Sequence, residues 1–152
     1  MDFVNKNFVY KHILRTNLSS FFILENLLKT CYKLPDTNLY AGIIGSHSNI
    51  LFASGAGYWM SKDIVEKIIA NKNNIDYNTL DDVAIGKLLS SIRITPLPRY
   101  DLDKNIFYND DKKSSILNEI IANNHYHIRV KNTDNNINID IMTFFTLQLY
   151  KN

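Results

Sequence analysis

Four of the five glycines in the chain, Gly42, Gly45, Gly55 and Gly57, fall within one short stretch, and chemistry is expected there first. Glycines gather where a backbone turns sharply or lies close against another group. Gly55-Ala56-Gly57 does not extend into a dinucleotide fingerprint, because the third glycine position is Met60, and no P-loop pattern is present. Its setting reads as a strand-to-helix junction flanked by Phe52, Tyr58 and Trp59. Such a junction can serve as a floor on which a ligand ring lies near the main chain. The structural alternative is a tight turn, with Tyr58 and Trp59 in the core.

Asp81-Asp82 is a pair of adjacent carboxylates at the expected start of a helix. An acid there can accept the free backbone N–H groups of the first turn and suits the helix dipole. It can also act as a general base, removing a proton from an attacking hydroxyl. Asp110-Asp111, beside Lys112-Lys113, reads as solvated surface. His127 and Arg129 stand two residues apart on one side of an expected strand, a cationic row able to hold a diphosphate or a metal-bound phosphate. A solvent-exposed strand face is the other reading of that row. His12 and His47 have no metal-ligand spacing, and no Ser-His-Asp arrangement is legible.

The elements that must position these groups follow from periodicity. Phe8 to Leu14 suits a strand, Arg15 to Ser19 a loop, and Ser20 a cap for a helix over Phe21 to Tyr32. That helix would carry Phe21, Leu24, Leu28 and Cys31 on one face. Leu39 to Ile44 reads as a buried strand, Gly45 to Asn49 as a turn, and Ile50 to Ala53 as a second short strand running into the Gly55 turn. Ser61 and Asp63 open a helix through Ala70, burying Ile64, Val65, Ile68 and Ile69. Asp81-Asp82 start another, with Ala84, Ile85, Leu88, Leu89 and Ile92 as its stripe. Ile92 to Thr95 suits a short strand, Tyr100 to Lys113 a polar loop, and Ser115 to Ala122 a helix. His125 to Lys131 alternates, with Tyr126, Ile128 and Val130 on one face and His125, His127, Arg129 and Lys131 on the other. A last amphipathic helix, from about Asp134, carries Ile141, Phe144, Phe145 and Leu149. Strands interleaved with helices indicate an α/β fold, a mixed sheet flanked by helices.

Composition narrows the function classes. The chain has 152 residues, 45% hydrophobic and 21% charged, as expected of one globular domain spanning 1–152. A net charge of +2 argues against a dedicated nucleic-acid binder. Cys31 is the sole cysteine, which excludes an internal disulfide and a cysteine-based zinc cluster. No apolar run approaches a membrane span, and Met1 to Asn7 lacks the apolar stretch of a signal peptide, so the expected location is cytoplasmic.

In order along the chain, two segments resemble a known family. Phe52-Ala-Ser-Gly-Ala-Gly-Tyr-Trp-Met-Ser-Lys-Asp63, followed by Asp81-Asp-Val-Ala-Ile-Gly86, is similar to the "YaSGaGYvlSrdlv" and "EDVyvG" segments of the fringe and β-1,3-galactosyltransferase family. Leu97-Pro-Arg-Tyr-Asp101 and His127-Ile-Arg129 look like downstream portions of the same enzymes. The resemblance implies a GT-A-type nucleotide-sugar transferase fold and an inverting in-line transfer of a hexose from a nucleotide-sugar, a UDP-sugar above all, to a glycan or protein hydroxyl. It implies that Asp82 is the base, with Asp81 as its understudy. Ser54, Gly55, Ala56, Gly57, Tyr58 and Trp59 would line the substrate pocket. His127 would help hold metal and diphosphate, with Arg129 and Lys131 beside it.

Two departures shape the expectations. The family's Asp-x-Asp, which holds Mn²⁺ or Mg²⁺, falls where this chain has Asn17 and Ser19, and hard cations prefer carboxylate oxygen. The resemblance covers the later half of such a domain, so the nucleotide-binding half is expected to be missing. An inactive remnant that binds a sugar or a partner subunit is therefore the alternative function. A half-domain would leave an apolar patch near Phe8, Tyr10 and Leu14, and would self-associate or need a partner.

Overall fold

The computed structural model describes residues 1–98, 104–106, 113–131, 137 and 139–150. Its elements are α1 (Asp2–Asn7), β1 (His12–Thr16), β2 (Ser20–Phe22), α2 (Leu24–Cys31), β3 (Tyr40–His47) and β4 (Ile50–Ser61). They continue with α3 (Lys62–Ala70), α4 (Asp81–Ser91), β5 (Leu97–Pro98), β6 (Lys104–Ile106), α5 (Lys113–Ala122), β7 (His127–Val130) and α6 (Ile139–Leu149). They fall into two compact units, Met1–Asn17 with Leu34–Arg99, and Leu18–Lys33 with Tyr100–Asn152. The architecture is α/β, with mixed sheets flanked by helices.

The first unit is built on a four-stranded sheet in the order β1-β4-β3-β5, antiparallel except for the β3–β5 pair. Its core joins Tyr40, Ala53, Tyr58 and Met60 of the sheet to Ile64, Val65 and Ile68 of α3 and to Ile85, Leu88 and Leu89 of α4. Full burial of one such aliphatic side chain contributes about 1.5–3 kcal/mol. Helix α3 starts where Ser61 and Asp63 predict, yet the Ser61 hydroxyl accepts from none of the helix's backbone N–H groups. It accepts from Leu39 N at 2.9 Å and donates to Asp63 at 2.5 Å. Burial raises the Asp63 pKa, but bonds from Ser61, Lys67 and the Asn38 N–H outweigh it and hold the carboxyl below its ordinary value.

Several expected boundaries shift, each because strand pairing overrides local pattern. The first strand is His12–Thr16 rather than Phe8 to Leu14, since Ile13 and Arg15 pair with Met60 and Tyr58. Arg15 and Thr16 therefore belong to a strand and not a loop. Phe8 is exposed, with Val9 and Phe3, while Tyr10 and Leu14 are half-buried. The turn at residues 45–49 contracts to Ser48 and Asn49, both at positive φ, closing a two-residue hairpin with His47 opposite Ile50. Ile92 to Thr95 forms no strand; Leu97–Pro98 pairs with β3 instead.

The second unit is a three-stranded sheet, β2-β7-β6, packed by Ile23, Ile120, Ile128, Val130, Ile141 and Phe145. Ser20 does not cap a helix. It begins β2, whose Phe21 and Phe22 pair with Ile128 and His127, and α2 starts after Ile23 with Leu24 and Leu28 exposed. Part of the expected polar loop, Lys104–Ile106, is strand β6. Arg99 to Asp101 and Asp110 to Lys112 lie outside the described residues. Among the described residues, no helix is long and apolar enough to cross a membrane.

Candidate active site

Gly55-Ala56-Gly57 lies inside β4, not at a strand-to-helix turn. The β3–β4 register runs Gly42 opposite Tyr58, then Ile44 opposite Ala53. Ser54 to Gly57 thus stand against Ile43 alone, a wide bulge in the longest strand. No glycine has positive φ, so Gly42 and Gly55 serve for space rather than for backbone conformation. A Cβ on Gly42 would sit 2.8 Å from the Cβ of Tyr58 and 2.9 Å from that of Ala53, where the strands close up on either side of the bulge.

The bulge peptides are held by side chains. Gly55 N–H donates to Asp82 Oδ2 at 2.7 Å, and Gly55 O accepts from Arg15 Nη1. Ala56 N–H reaches Ser54 Oγ at 3.3 Å, and Ala56 O accepts from Thr16 Oγ1 at 3.1 Å. Arg15 Nη2 in turn donates to Asp81 Oδ2, and the guanidinium lies 5.8 Å from the centre of the Tyr58 ring. A Cβ on Gly55 would fall 2.5 Å from Arg15 Nη1 and 3.1 Å from Asp82 Oδ2. Glycine there leaves both charged groups room to reach the main chain.

Helix α4 carries the two acids to this point. Leu80 is its N-cap residue and makes no side-chain cap bond, so Asp81 and Asp82 occupy the first turn and their carboxylates accept two of its free N–H groups, as the capping reading expects. Asp81 Oδ1 accepts from Asp82 N at 2.9 Å, and Asp82 Oδ1 from Val83 N at 2.8 Å. Asp82 and Gly86 lie one turn apart on one helix face. Gly86 lets that face lie directly on β4, because a Cβ would overlap the Cβ of Phe52 and come within 3.2 Å of Leu51 O.

Beneath the bulge, Tyr40 Oη accepts from Ala53 N at 2.9 Å, and its ring meets Tyr58 edge-on at 5.7 Å. Burial pushes the Tyr40 pKa up to about 12; the Ala53 N–H opposes this, and the charge of Asp82 adds to it. Burial also raises Tyr58. Tyr58 and Trp59 are buried, Tyr58 in the core and Trp59 edge-on to His12, so neither presents an open ring face. Ser54 is half-buried.

The remaining expected residues lie in the second unit, apart from Asn17. His127 is fully buried and stacks on Phe22 at 4.7 Å, and His125 is buried as well. The row, read either as a diphosphate-holding face or as a solvent-exposed one, is thus covered at His125 and His127. Arg129 and Lys131 are half-buried and reach its surface. Ser19 is buried, with its carbonyl accepting from Val130 N at 2.7 Å. A neutral amide at 17 and a buried hydroxyl at 19 do not fit a hard divalent cation. Among the described residues no three His, Cys, Asp or Glu side chains gather as a metal cluster.

Sequence reasoning missed Arg15, Thr16 and Gly86. Arg15 was read as part of a loop, and its partners lie 40 and 66 residues away, so no local signal marked it.

The family model for galactosyltransferases matches residues 6–99. The chain belongs to the galactosyltransferase family. The match takes in Arg15, the β4 bulge and Asp81-Asp82, and ends before His127, Arg129 and Lys131. No curated protein matches the chain. Membership in a galactosyltransferase family implies a nucleotide-sugar donor and an acceptor.

Proposed function

We propose that this galactosyltransferase-family chain transfers a hexose from a UDP-sugar to a glycan or protein hydroxyl with inversion, within the fringe and β-1,3-galactosyltransferase branch and on a GT-A-type framework. The observation that carries the reading is the Asp82 carboxylate seated on the Gly55 amide, which joins the two motifs of the resemblance into one site. In the reaction the acceptor oxygen forms its bond to the anomeric carbon as the bond to the diphosphate oxygen breaks, the electron pair leaving with UDP. Asp82 takes the acceptor proton. Each of its oxygens already accepts one backbone N–H, which fixes the carboxylate while leaving lone pairs for the hydroxyl. The peptides of Ser54 to Gly57 form the wall beside it, with Tyr58 in the core that backs the sheet. Taken by itself, the second unit offers Arg129 and Lys131 as the cations the resemblance assigns to a diphosphate.

The test is UDP release from a panel of UDP-sugars, with and without glycan acceptors. Asp82→Asn should keep the fold and lower turnover on the order of 10²-fold or more. Turnover equal to the unaltered chain would remove Asp82 as the base. The buried hydroxyl at Ser19 favours a second reading, a sugar-binding member without catalysis. UDP-sugar binding with no UDP release, from any donor, would establish that reading instead.

A further inference from the structure

We propose that Arg15 is a positioning residue, fixing Asp82 by clamping the carbonyl of Gly55 while Asp82 holds the N–H of the same residue. The inference rests on the reading of Asp82 as the base. Four bonds make a closed ring. Asp82 accepts from Gly55 N–H, Gly55 O accepts from Arg15, Arg15 donates to Asp81, and Asp81 accepts from Asp82 N–H. No member can shift without lengthening a bond to the next.

The chemistry of the ring needs a guanidinium. Its two Nη groups reach a carbonyl and a carboxylate at once from one rigid plane, which a single ammonium cannot do. Its plane also stays near the buried Tyr58 ring, so the fork is held from the protein side. A role in stability alone does not account for the arrangement. The Asp81 side chain is 69% exposed, and an ion pair so open to water contributes little to folding. What the ring does fix is the bulge peptide and, through it, the direction of the Asp82 carboxylate.

Three variants test this: Arg15→Met, Arg15→Lys and Asp81→Asn. The first readout is hydrogen exchange of the Gly55 amide by NMR, which needs no turnover. Arg15→Met should speed that exchange about tenfold or more relative to the core amides of β4, with Arg15→Lys and Asp81→Asn in between. Unchanged exchange in Arg15→Met overturns the proposal. If Arg15→Met fails to fold, Arg15→Lys and Asp81→Asn decide it by the same measurement, because Asp81 is exposed and its loss leaves the core intact. The second readout is steady-state UDP release. Arg15→Met should lower kcat about tenfold or more with acceptor KM little changed, and Arg15→Lys should recover part of the loss. A loss confined to KM, or none, overturns the proposal. A chain that transfers no sugar defeats the reading of Asp82 as base, while Gly55 exchange still decides whether Arg15 orders the bulge.

Discussion

Replacing Gly86 by alanine sets two effects of opposite sign against each other on α4. On helix propensity alone the change is favourable by about 1 kcal/mol, since glycine is a poor residue for a helix interior. Packing opposes it. The new methyl would overlap the Cβ of Phe52 and lie 3.1 Å from its Cα and 3.2 Å from Leu51 O. All three belong to the β4 backbone or its first side-chain atom, so none can rotate away, and the helix has to move back from the sheet. Overpacking of this kind costs about 1–3 kcal/mol, and here it also loosens the buried contacts of Ile85 and Leu89.

Because the methyl would overlap the Cβ of Phe52 outright, the cost falls in the upper part of that range, about 2–3 kcal/mol, and the expected net result is a destabilisation of about 1–2 kcal/mol, read as a lower urea midpoint with an unchanged slope. Ser90→Ala provides the control, because Ser90 is exposed on the same helix and gains propensity without meeting the sheet. It should leave the midpoint equal or higher. Because Asp82 shares the Gly86 face, the same variant should stretch the 2.7 Å bond to Gly55 N and speed exchange of that amide. A Gly86→Ala protein as stable as the parent would refute the claim that this glycine sets the distance between α4 and β4.

Tyr40 should make the fold sensitive to alkali. Its folded pKa, about 12, lies above the ordinary 10.0, so its contribution is complete below about pH 10 and is lost as pH rises through 12. The loss is on the order of 2–3 kcal/mol by proton linkage. Tyr40→Phe should remove its own share of the alkaline decline in a denaturation series from pH 8 to 12, with Tyr58, also raised by burial, keeping the rest, and cost about 1–3 kcal/mol at neutral pH by leaving Ala53 N–H without its acceptor. Calorimetric titration with Mn²⁺ should show no tight binding to the unaltered chain. The double change Asn17→Asp with Ser19→Asp should lower stability, since position 19 is buried, and Mn²⁺ should then raise the melting temperature of that variant. Micromolar Mn²⁺ binding by the unaltered chain would contradict the assignment of positions 17 and 19.

Helices α3 and α4 were legible because their information is local. Polar residues stand at their starts, and Ile64, Val65 and Ile68, then Ile85, Leu88 and Leu89, recur at helical spacing. Strand β4 was read as a short strand and a turn because its glycines look like punctuation. Only the pairing with β3 and β1 shows that the chain continues extended through Gly57. Pairing is a property of two segments, and neither carries it alone. The same holds for β7. Alternation shows that His127 and Arg129 share a face, but its His127 end is covered by Phe22, which comes from a strand far away in sequence. The local aromatic pattern at Phe21 and Phe22 suited a helix as well as a strand, and β7 decided between them.

The two glycine-containing motifs have one physical explanation. Asp82 can accept the Gly55 amide only if α4 lies close on β4, and Gly86 permits that approach. Gly55 can be approached from both sides only if it has no side chain, because Arg15 and Asp82 already fill that space. Gly42 closes the sheet beside the bulge where Tyr58 and Ala53 crowd it. The acids therefore need the glycines to reach their partners, and the bulge needs the acids and Arg15 to satisfy its peptides. A substitution at any one of these positions should be felt at Gly55 before it is felt elsewhere in the sheet. Exchange at that one amide is consequently the most direct measure of whether the motifs act as a unit.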